Sequence, residues 1–287
     1  MRNTAWEEVT RLYSACRLTF GTDKLPAISR VASAMQKKLQ ARYLADLWDT
    51  ETLSRQLCWR CIDGEQAPRP AEYRAPSWSW ASVDSGVIPG NTSKTYTVEV
   101  FRDDRILYIQ ELYYIHVRDI TAHTTLSGSN PFDAVSEGSL ILTCEHLLPL
   151  TNYEASQRPT DDLGFCELPS NWAIGNQSIR TSMIFDFSTE KKDMLYFLLI
   201  NSSHYKENHM GEGLILKMTA VIPGQYRRVG YVEKRDFATE YYTFCSTYPV
   251  TKTLDGRLGN RYPLPPSSYI QKQMDPDGKT TYIISII

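Results

Sequence analysis

Two cysteines separated by two residues form the most recognisable chemical motif in this sequence. Cys58 and Cys61 have the spacing of a redox-active dithiol or of half of a zinc site. A structural zinc usually needs a second pair of ligands, and Cys144 with His146 are the only plausible distant partners. A thioredoxin-like dithiol lies at a strand-to-helix turn, whereas this pair closes a predicted helix. The pattern favours two ordinary cysteines at a helix end.

The five histidines have no catalytic or metal-binding spacing. They are His116, His123, His146, His204 and His209. His116 and His123 are seven residues apart on a predicted strand, so their side chains point to opposite faces. Neither the HExxH motif of zinc proteases nor the GxSxG motif of serine hydrolases occurs in the sequence. The members of a catalytic triad need not be close in sequence, so a triad stays open, but nothing in these spacings favours one.

Several charged residues occur in adjacent pairs, and the sequence contains no glycine-rich phosphate-binding loop. The GxGxxG and GxxxxGK[ST] motifs do not occur. Two pairs of aspartates, at 103–104 and 161–162, lie in predicted loops and are interpreted as solvated turn residues. Arg227 and Arg228 share a predicted strand, so one faces water and the other the sheet edge or a buried acid. An anion site at these arginines stays open.

Two tryptophans mark the most unusual local sequence. Residues 77–82 alternate small polar and aromatic side chains, which predicts a strand with Trp78 and Trp80 on one face. This face could be a ligand platform. The favoured interpretation is a core strand in which each buried indole N–H finds a carbonyl.

Helical periodicity dominates the N-terminal residues. An apolar stripe from Trp6 to Tyr13 predicts the first helix, and Thr4 with Glu7 has the spacing of a capping box. Two further helices are predicted at 25–48 and 50–59. Several glycines and prolines follow, and they forbid a continuing helix. We therefore expect a helical segment, 1–65, and a second region, 66–287.

The second region shows mostly strand patterns separated by polar turns. The predicted strands are 96–101, 114–124, 139–150, 180–187, 194–200, 213–222, 226–234 and 281–287, and the predicted loops are 128–130, 152–164 and 254–266. Helices followed by many strands predict an α+β fold. In it, a short N-terminal helical subdomain packs on a larger antiparallel β-rich body, either sandwich-like or barrel-like.

Composition excludes several classes of protein. The chain has 287 residues, and its 31 basic and 33 acidic residues leave a net charge of −2. It therefore lacks the basic field that a nucleic-acid backbone requires. Its apolar runs are well below the roughly 20 residues of a membrane helix, and its N-terminus lacks the apolar centre of a secretory signal. We expect a cytoplasmic protein with reduced cysteines that binds neither nucleic acid nor membrane.

Several short sequence motifs, called words below, resemble in their order the motifs of the fungal heterokaryon-incompatibility (HET) domain proteins. They are DKLPA at 23–27, YLADLW at 43–48, APSWSWAS at 75–82, GSLIL at 138–142, GLIL at 213–216 and YRRVG at 226–230. The series covers nearly the whole chain from Trp6 onward. It is similar to the C-terminal part of the HET domain and the β-rich region after it. The resemblance implies a role in fungal non-self recognition and programmed cell death.

The sequence also departs from the family pattern. Arg30 and Asp46 stand where the family usually has glycine, at positions predicted to lie inside a helix, where the replacements are tolerable. The family's N-terminal words SYxWG, DxxCINQ and RGWxxQE do not occur, so the chain starts downstream of them. Three interpretations stay open: a fragment, a mispredicted gene or a truncated paralogue.

The resemblance implies a non-enzymatic regulatory or interaction module with a HET-family or incompatibility protein as partner. No catalytic, cofactor-binding or metal-binding residue is assigned, because any family activity of TIR-like type would lie in the missing half. The alternatives are a remnant or cryptic NAD hydrolase, or a small metal-binding protein using Cys58 and Cys61. The residues expected to matter most are structural: Leu25, Trp48, Trp78 and Trp80.

Overall fold

The protein has an α+β fold in which N-terminal helices precede a large, mostly antiparallel sheet. This confirms the predicted fold class. The computed structural model describes residues 4–62, 69–92, 97–102, 105–110, 112–150, 164–166, 181–187, 195–205, 208–234, 264–274 and 280–287. Within these ranges, no helix combines the length and the apolar character needed to cross a membrane.

The first helix lies where its apolar stripe predicts it. Helix α1 covers Thr4–Ser14 and buries Trp6, whose indole N–H donates to the Asp46 carbonyl oxygen at 2.9 Å. The Glu7 carboxylate accepts hydrogen bonds from the backbone N–H and the hydroxyl of Thr92. The side chain of Thr4 lies outside the described residues, so the capping box stays a prediction.

The second helix is shorter than predicted. Helix α2 covers Lys24–Leu39 and ends because Gln40 adopts a left-handed conformation with φ of 51°. A hairpin of strands β1 (Arg42–Leu44) and β2 (Leu47–Asp49) follows where the sequence predicts helix. Apolar residues four apart suit a helix, but Tyr43 and Trp48 are here cross-strand partners with ring centroids 5.2 Å apart. The third helix, α3, is a single turn at Leu53–Gln56.

The hairpin turn contains Asp46, a residue that was expected to lie inside a helix. Ala45 and Asp46 are its two central residues, and both have positive φ, 46° and 79°. A two-residue turn of this kind favours glycine or asparagine, and aspartate tolerates it better than most residues. Asp46 therefore occupies a tight turn, and the prediction of a mid-helix site is wrong.

The tryptophan-rich segment is not a strand. Trp80–Ser82 form a short 3₁₀ turn, in which the Ser79 hydroxyl oxygen accepts from the Ala81 N–H at 3.1 Å. Trp78 and Trp80 are nonetheless almost completely buried. The strand prediction is wrong because serine here caps a turn rather than facing solvent on a pleated strand.

The remaining strands are numbered in chain order. They are β3 (Arg60–Cys61), β4 (Val87–Ile88), β5 (Thr97–Arg102), β6 (Arg105–Gln110), β7 (Leu112–Ile115), β8 (Val117–Leu126), β9 (Val135–Cys144), β10 (Leu147–Leu150), β11 (Gly164–Cys166), β12 (Thr181–Phe185), β13 (Leu195–Tyr205), β14 (Asn208–Met218), β15 (Gln225–Lys234), β16 (Gln271–Met274) and β17 (Thr280–Ile286). Eleven of them form one sheet, with the central order β10-β13-β14-β15-β17-β9-β8 and with β7, β11, β12 and β16 paired beside it.

Two predicted strands are interrupted. The segment 114–124 is divided at His116, between β7 and β8, and the segment 139–150 is divided at Glu145 and His146, between β9 and β10. Almost all strand pairs of the large sheet are antiparallel, and β15 and β17 pair in parallel.

A buried arginine joins the helical segment to the sheet. Arg228 on β15 donates to the carbonyl oxygens of Leu57 at 2.7 Å and Trp59 at 2.5 Å, and its Nε donates to Asp186 at 3.1 Å. Its guanidinium also stacks on the Trp59 ring. Of the two predicted alternatives for this arginine, the structure has the buried acid. Apolar residues of both parts belong to one core cluster.

Some predicted features fall outside the described residues. These are the aspartates at 103–104 and 161–162, Cys245, the boundary between residues 65 and 66, most of the loops 152–164 and 254–266, and the side chains of Cys166, His204 and His209.

Candidate functional site

A cleft of about 810 Å³ lies where the segment after residue 68 crosses the large sheet. One wall is formed by residues 69–75 with Ser77 and Ser82. The other is formed by side chains of β8, β9 and β15. The cleft therefore joins parts of the chain that are distant in sequence.

A glycine allows the two walls to meet. A Cβ atom on Gly138 of β9 would lie 2.2 Å from Cγ of Pro76 and 3.2 Å from Cζ2 of Trp78. A proline ring cannot move aside as a flexible side chain would, so any larger residue at position 138 would push the segment off the sheet. The segment is also held by Ser77, whose hydroxyl oxygen accepts from the Arg228 N–H at 2.9 Å.

The charged lining of the cleft is more basic than acidic. Three arginines, Arg69, Arg74 and Arg227, face two glutamates, Glu72 and Glu137. Guanidinium groups bind carboxylates and phosphates through paired hydrogen bonds. The lining can thus receive an anionic group.

Two of these arginines are positioned by other side chains. Arg74 donates to Asp84 at 2.6 Å, and Arg69 stacks on the ring of Phe187 with its Cζ 4.0 Å from the centroid. Tyr73 adds a phenol to the lining, and burial raises its pKa to about 12, with the Glu137 charge acting in the same direction. The phenol thus keeps its proton near neutral pH and can donate it in a hydrogen bond.

The paired cysteines have the environment of packed, unreactive thiols. Cys58 donates weakly to the Ser54 carbonyl oxygen and accepts from the Asn201 amide at 3.6 Å, while Cys61 lies 4.0 Å from the Asp186 carboxylate. Burial raises the pKa of Cys58 well above its ordinary value and that of Cys61 to about 12. The thiolate is the nucleophile and the metal ligand, so these thiols do not suit a redox dithiol.

Among the described residues, the side chains close enough to share a metal ion are His116, Glu145 and His146. Neither Cys58 nor Cys61 belongs to this group. His146 was singled out in the sequence only as a distant partner for the two cysteines. The periodicity of the sequence gives no signal for this group. Each ligand lies at a break between two strands, whereas the strand pattern in the sequence continues through that position without interruption. The one available hint is a pair of polar residues, Glu145 and His146, inside an apolar run.

The structure separates the remaining candidates. His123 is exposed on β8 and lines the cleft, whereas His116 is buried. Arg227 lines the cleft and Arg228 lies in the core. Trp78 and Trp80 are core residues, so a ligand platform made of their indoles is wrong.

The expected structural residues are all buried. Leu25, Trp48, Trp78 and Trp80 belong to the main core cluster. The expected hydrogen bond from each tryptophan of the pair to a carbonyl is wrong, because neither indole N–H reaches an acceptor in the described part of the chain. The Trp78 carbonyl oxygen instead accepts from the indole of Trp59 at 2.9 Å.

Two ionisable groups are buried beside this core. Asp46 accepts a hydrogen bond from the Tyr43 phenol, and burial raises its pKa to about 7 against the opposing effects of Tyr43 and Lys24. Lys24 donates to the Val83 carbonyl oxygen, and burial followed by the charge of Arg74 lowers its pKa to about 8. Neither group is among the residues that line the cleft, and both are interpreted as elements of the scaffold.

Comparisons with protein-family models, with curated proteins and with solved structures found no match to this chain.

Proposed function

We propose that this chain is a non-enzymatic interaction module of HET type, acting in fungal non-self recognition and programmed cell death. In this proposal the cleft binds an acidic segment of a HET-family or incompatibility partner protein. The proposal combines the sequence resemblance with the position and charge of the cleft.

One observation carries the proposal. Three of the words that resemble the family, at 75–82, 138–142 and 226–230, each contribute residues to the lining of the cleft. These words are far apart in the sequence, and packing alone does not require them to meet at one surface. Their convergence supports a shared binding surface at this place.

Two other motifs that resemble the family, at 23–27 and 43–48, contact the segment that forms one wall of the cleft. Lys24 of the first word is bound to the Val83 carbonyl oxygen, just after the tryptophan segment, and lies 5.4 Å from the Trp80 ring centroid. The Ala45 carbonyl oxygen of the second word accepts from the Ser79 hydroxyl at 2.6 Å. These contacts hold the segment that forms one wall, so the family words act as scaffold and lining together.

The charge of the lining favours an acidic partner. Arg227 on β15 and His123 on β8 both line the cleft, and arginines outnumber glutamates in the lining. An acidic side chain would gain charge-assisted hydrogen bonds, which are about twice as strong as neutral ones.

The test is a cell-death assay with variants that add negative charge to the cleft. The chain is expressed in a fungal strain that carries a full-length HET-type protein, and dead cells are counted by uptake of a vital dye. We expect wild type to change the dead fraction severalfold, and Arg227→Glu and His123→Glu to abolish this effect. Arg30→Glu, which reverses an exposed charge on α2, is expected to behave as wild type.

Three outcomes would overturn the proposal. The first is no effect of wild type on cell death, and the second is an undiminished effect of both cleft variants when their melting temperatures match wild type. The third is release of nicotinamide from NAD by the purified chain above the buffer blank, since that would favour the alternative of a cryptic NAD hydrolase.

A further inference from the structure

Three metal-ligating side chains meet at two strand breaks on one side of the large sheet. The ligating atoms of His116, Glu145 and His146 all lie within 4.8 Å of one another. Nδ1 of His116 lies 3.6 Å from Oε2 of Glu145, and Nε2 of His146 lies 4.0 Å from the same oxygen. We propose that these three residues bind one divalent transition-metal ion, with Zn²⁺ as the best fit.

The distances are close to those of a bound metal. Zinc bonds of 2.0–2.1 Å to nitrogen and oxygen place neighbouring ligand atoms about 3.3 Å apart in a tetrahedral site. Both carboxylate separations exceed this value by less than about 1 Å. Binding of an ion would draw the three ligand atoms, which lie within 4.8 Å of one another, closer together.

Backbone hydrogen bonds hold the two strand breaks, and with them the ligand residues, in place without a metal ion. The Glu145 N–H donates to the His116 carbonyl oxygen at 3.1 Å, which ties one strand break to the other. The His116 N–H donates to the Ile200 carbonyl oxygen at 2.8 Å, and the His146 carbonyl oxygen accepts from the Leu199 N–H at 3.3 Å. Strand β13, which has an irregular register between Leu199 and Asn201, therefore anchors both breaks.

A serine on the same strand orients one imidazole. Nε2 of His116 lies 2.7 Å from the Ser202 hydroxyl oxygen, and both residues are buried. When Nε2–H donates to Ser202, the lone pair of Nδ1 faces the Glu145 carboxylate. In this tautomer two acceptors face each other at 3.6 Å and repel, and a cation between them would convert the repulsion into two bonds. Histidine ligands of metals usually make this kind of hydrogen bond from the other ring nitrogen.

The donor set selects the class of metal. Two imidazole nitrogens and one carboxylate oxygen suit Zn²⁺ and neighbouring transition metals, whereas Ca²⁺ and Mg²⁺ prefer oxygen ligands alone. With three protein ligands, the fourth position of a tetrahedral site falls to a small molecule such as water. Since β7, β8, β9, β10 and β13 all end or pass at this point, the ion would link five strands of the sheet.

The test measures binding of Zn²⁺ to the purified full chain after removal of metal with a chelator. We expect about one equivalent to bind in a saturable isotherm, and Glu145→Gln and His146→Gln to weaken binding at least tenfold. Ser202→Ala is expected to keep one equivalent and to weaken binding by about 10- to 100-fold, as loss of an orienting hydrogen bond does. Glu8→Gln, the same chemical change on the exposed face of α1, is expected to bind as wild type.

A cobalt spectrum identifies the ligands. Co²⁺ at a site made of nitrogen and oxygen gives visible bands without the near-ultraviolet thiolate-to-cobalt band, whereas Co²⁺ held by Cys58 and Cys61 would show that band. The proposal is overturned by the absence of saturable Zn²⁺ binding, by a thiolate band, or by wild-type affinity in both Glu145→Gln and His146→Gln. Circular dichroism and melting temperature confirm that each variant is folded, and Ser202→Ala provides an independent result if a ligand variant does not fold.

Discussion

Replacing Asp46 with asparagine tests the electrostatics of the buried hairpin turn. The Asp46 side chain is completely buried, and its Oδ1 accepts a hydrogen bond from the Tyr43 phenol. Asparagine has the same shape, can accept the same hydrogen bond and also tolerates positive φ. The change therefore removes the charge of the carboxylate while leaving the packing of the turn in place.

The sign and size of the effect follow from the pKa of this carboxyl. Burial raises it from 3.8 to about 7 in the folded protein. Below about pH 4 the group is protonated in both states, and its contribution to stability is fully present. As pH rises to about 7 the unfolded chain loses the proton first, so the free energy of unfolding falls by about 1.4 kcal/mol per pH unit, or about 4 kcal/mol in total.

The neighbouring lysine acts in a different pH range. Burial lowers the pKa of Lys24 from 10.5 to about 8, so the folded state loses its proton before the unfolded state does. This group destabilises the protein below about pH 8, and stability recovers as pH rises from about 8 to 10.5. Between pH 4 and pH 7.5 the difference in stability between wild type and an Asp46 variant therefore carries no contribution from the titration of Lys24.

The assay is urea unfolding of wild type and Asp46→Asn across this pH range. We expect similar stability near pH 4 and a variant that is more stable than wild type by up to about 4 kcal/mol near pH 7.5. Asp23→Asn, an identical change at an exposed residue, serves as control. A difference between wild type and Asp46→Asn that does not change with pH would refute the argument that this carboxyl is protonated on burial.

Two further substitutions test the packing around the cleft. Trp80→Ala removes a fully buried indole and is expected to lower the free energy of unfolding by about 3–5 kcal/mol; a melting temperature within about one degree of wild type would contradict this. Gly138→Ala places a methyl group against Pro76 and is expected to cost about 1–3 kcal/mol in urea unfolding. Gly128→Ala, where nothing lies within 4 Å, is the matched control, and equal effects of the two glycine variants would exclude the proposed contact.

Local periodicity was sufficient where one element buries one face. The apolar stripe of α1 predicts a helix because residues three and four apart share a face, and the alternating segments after residue 95 predict strands for the corresponding reason. The α+β class follows from the order of these patterns along the chain. A buried acid was one of two environments predicted for one arginine of the 227–228 pair, and the structure shows it at Arg228.

Local periodicity failed where a backbone turn interrupts a continuing pattern. The end of α2 depends on the left-handed conformation of Gln40, and the hairpin depends on positive φ at Ala45 and Asp46. None of these residues is glycine, so the usual signal of such conformations is missing from the sequence. The cross-strand pair of Tyr43 and Trp48 then stabilises the hairpin, which the turn residues by themselves do not favour.

The sequence by itself determined the fold class and the burial of the two paired tryptophans. Only the tertiary structure decided which polar residues meet. Arg74, Gly138 and Arg227 share a cleft, and His116 approaches Glu145 and His146, because strands distant in sequence are neighbours in the sheet. Sequence patterns report which face of an element is buried, whereas a site depends on the register between elements, and register is set by long-range packing.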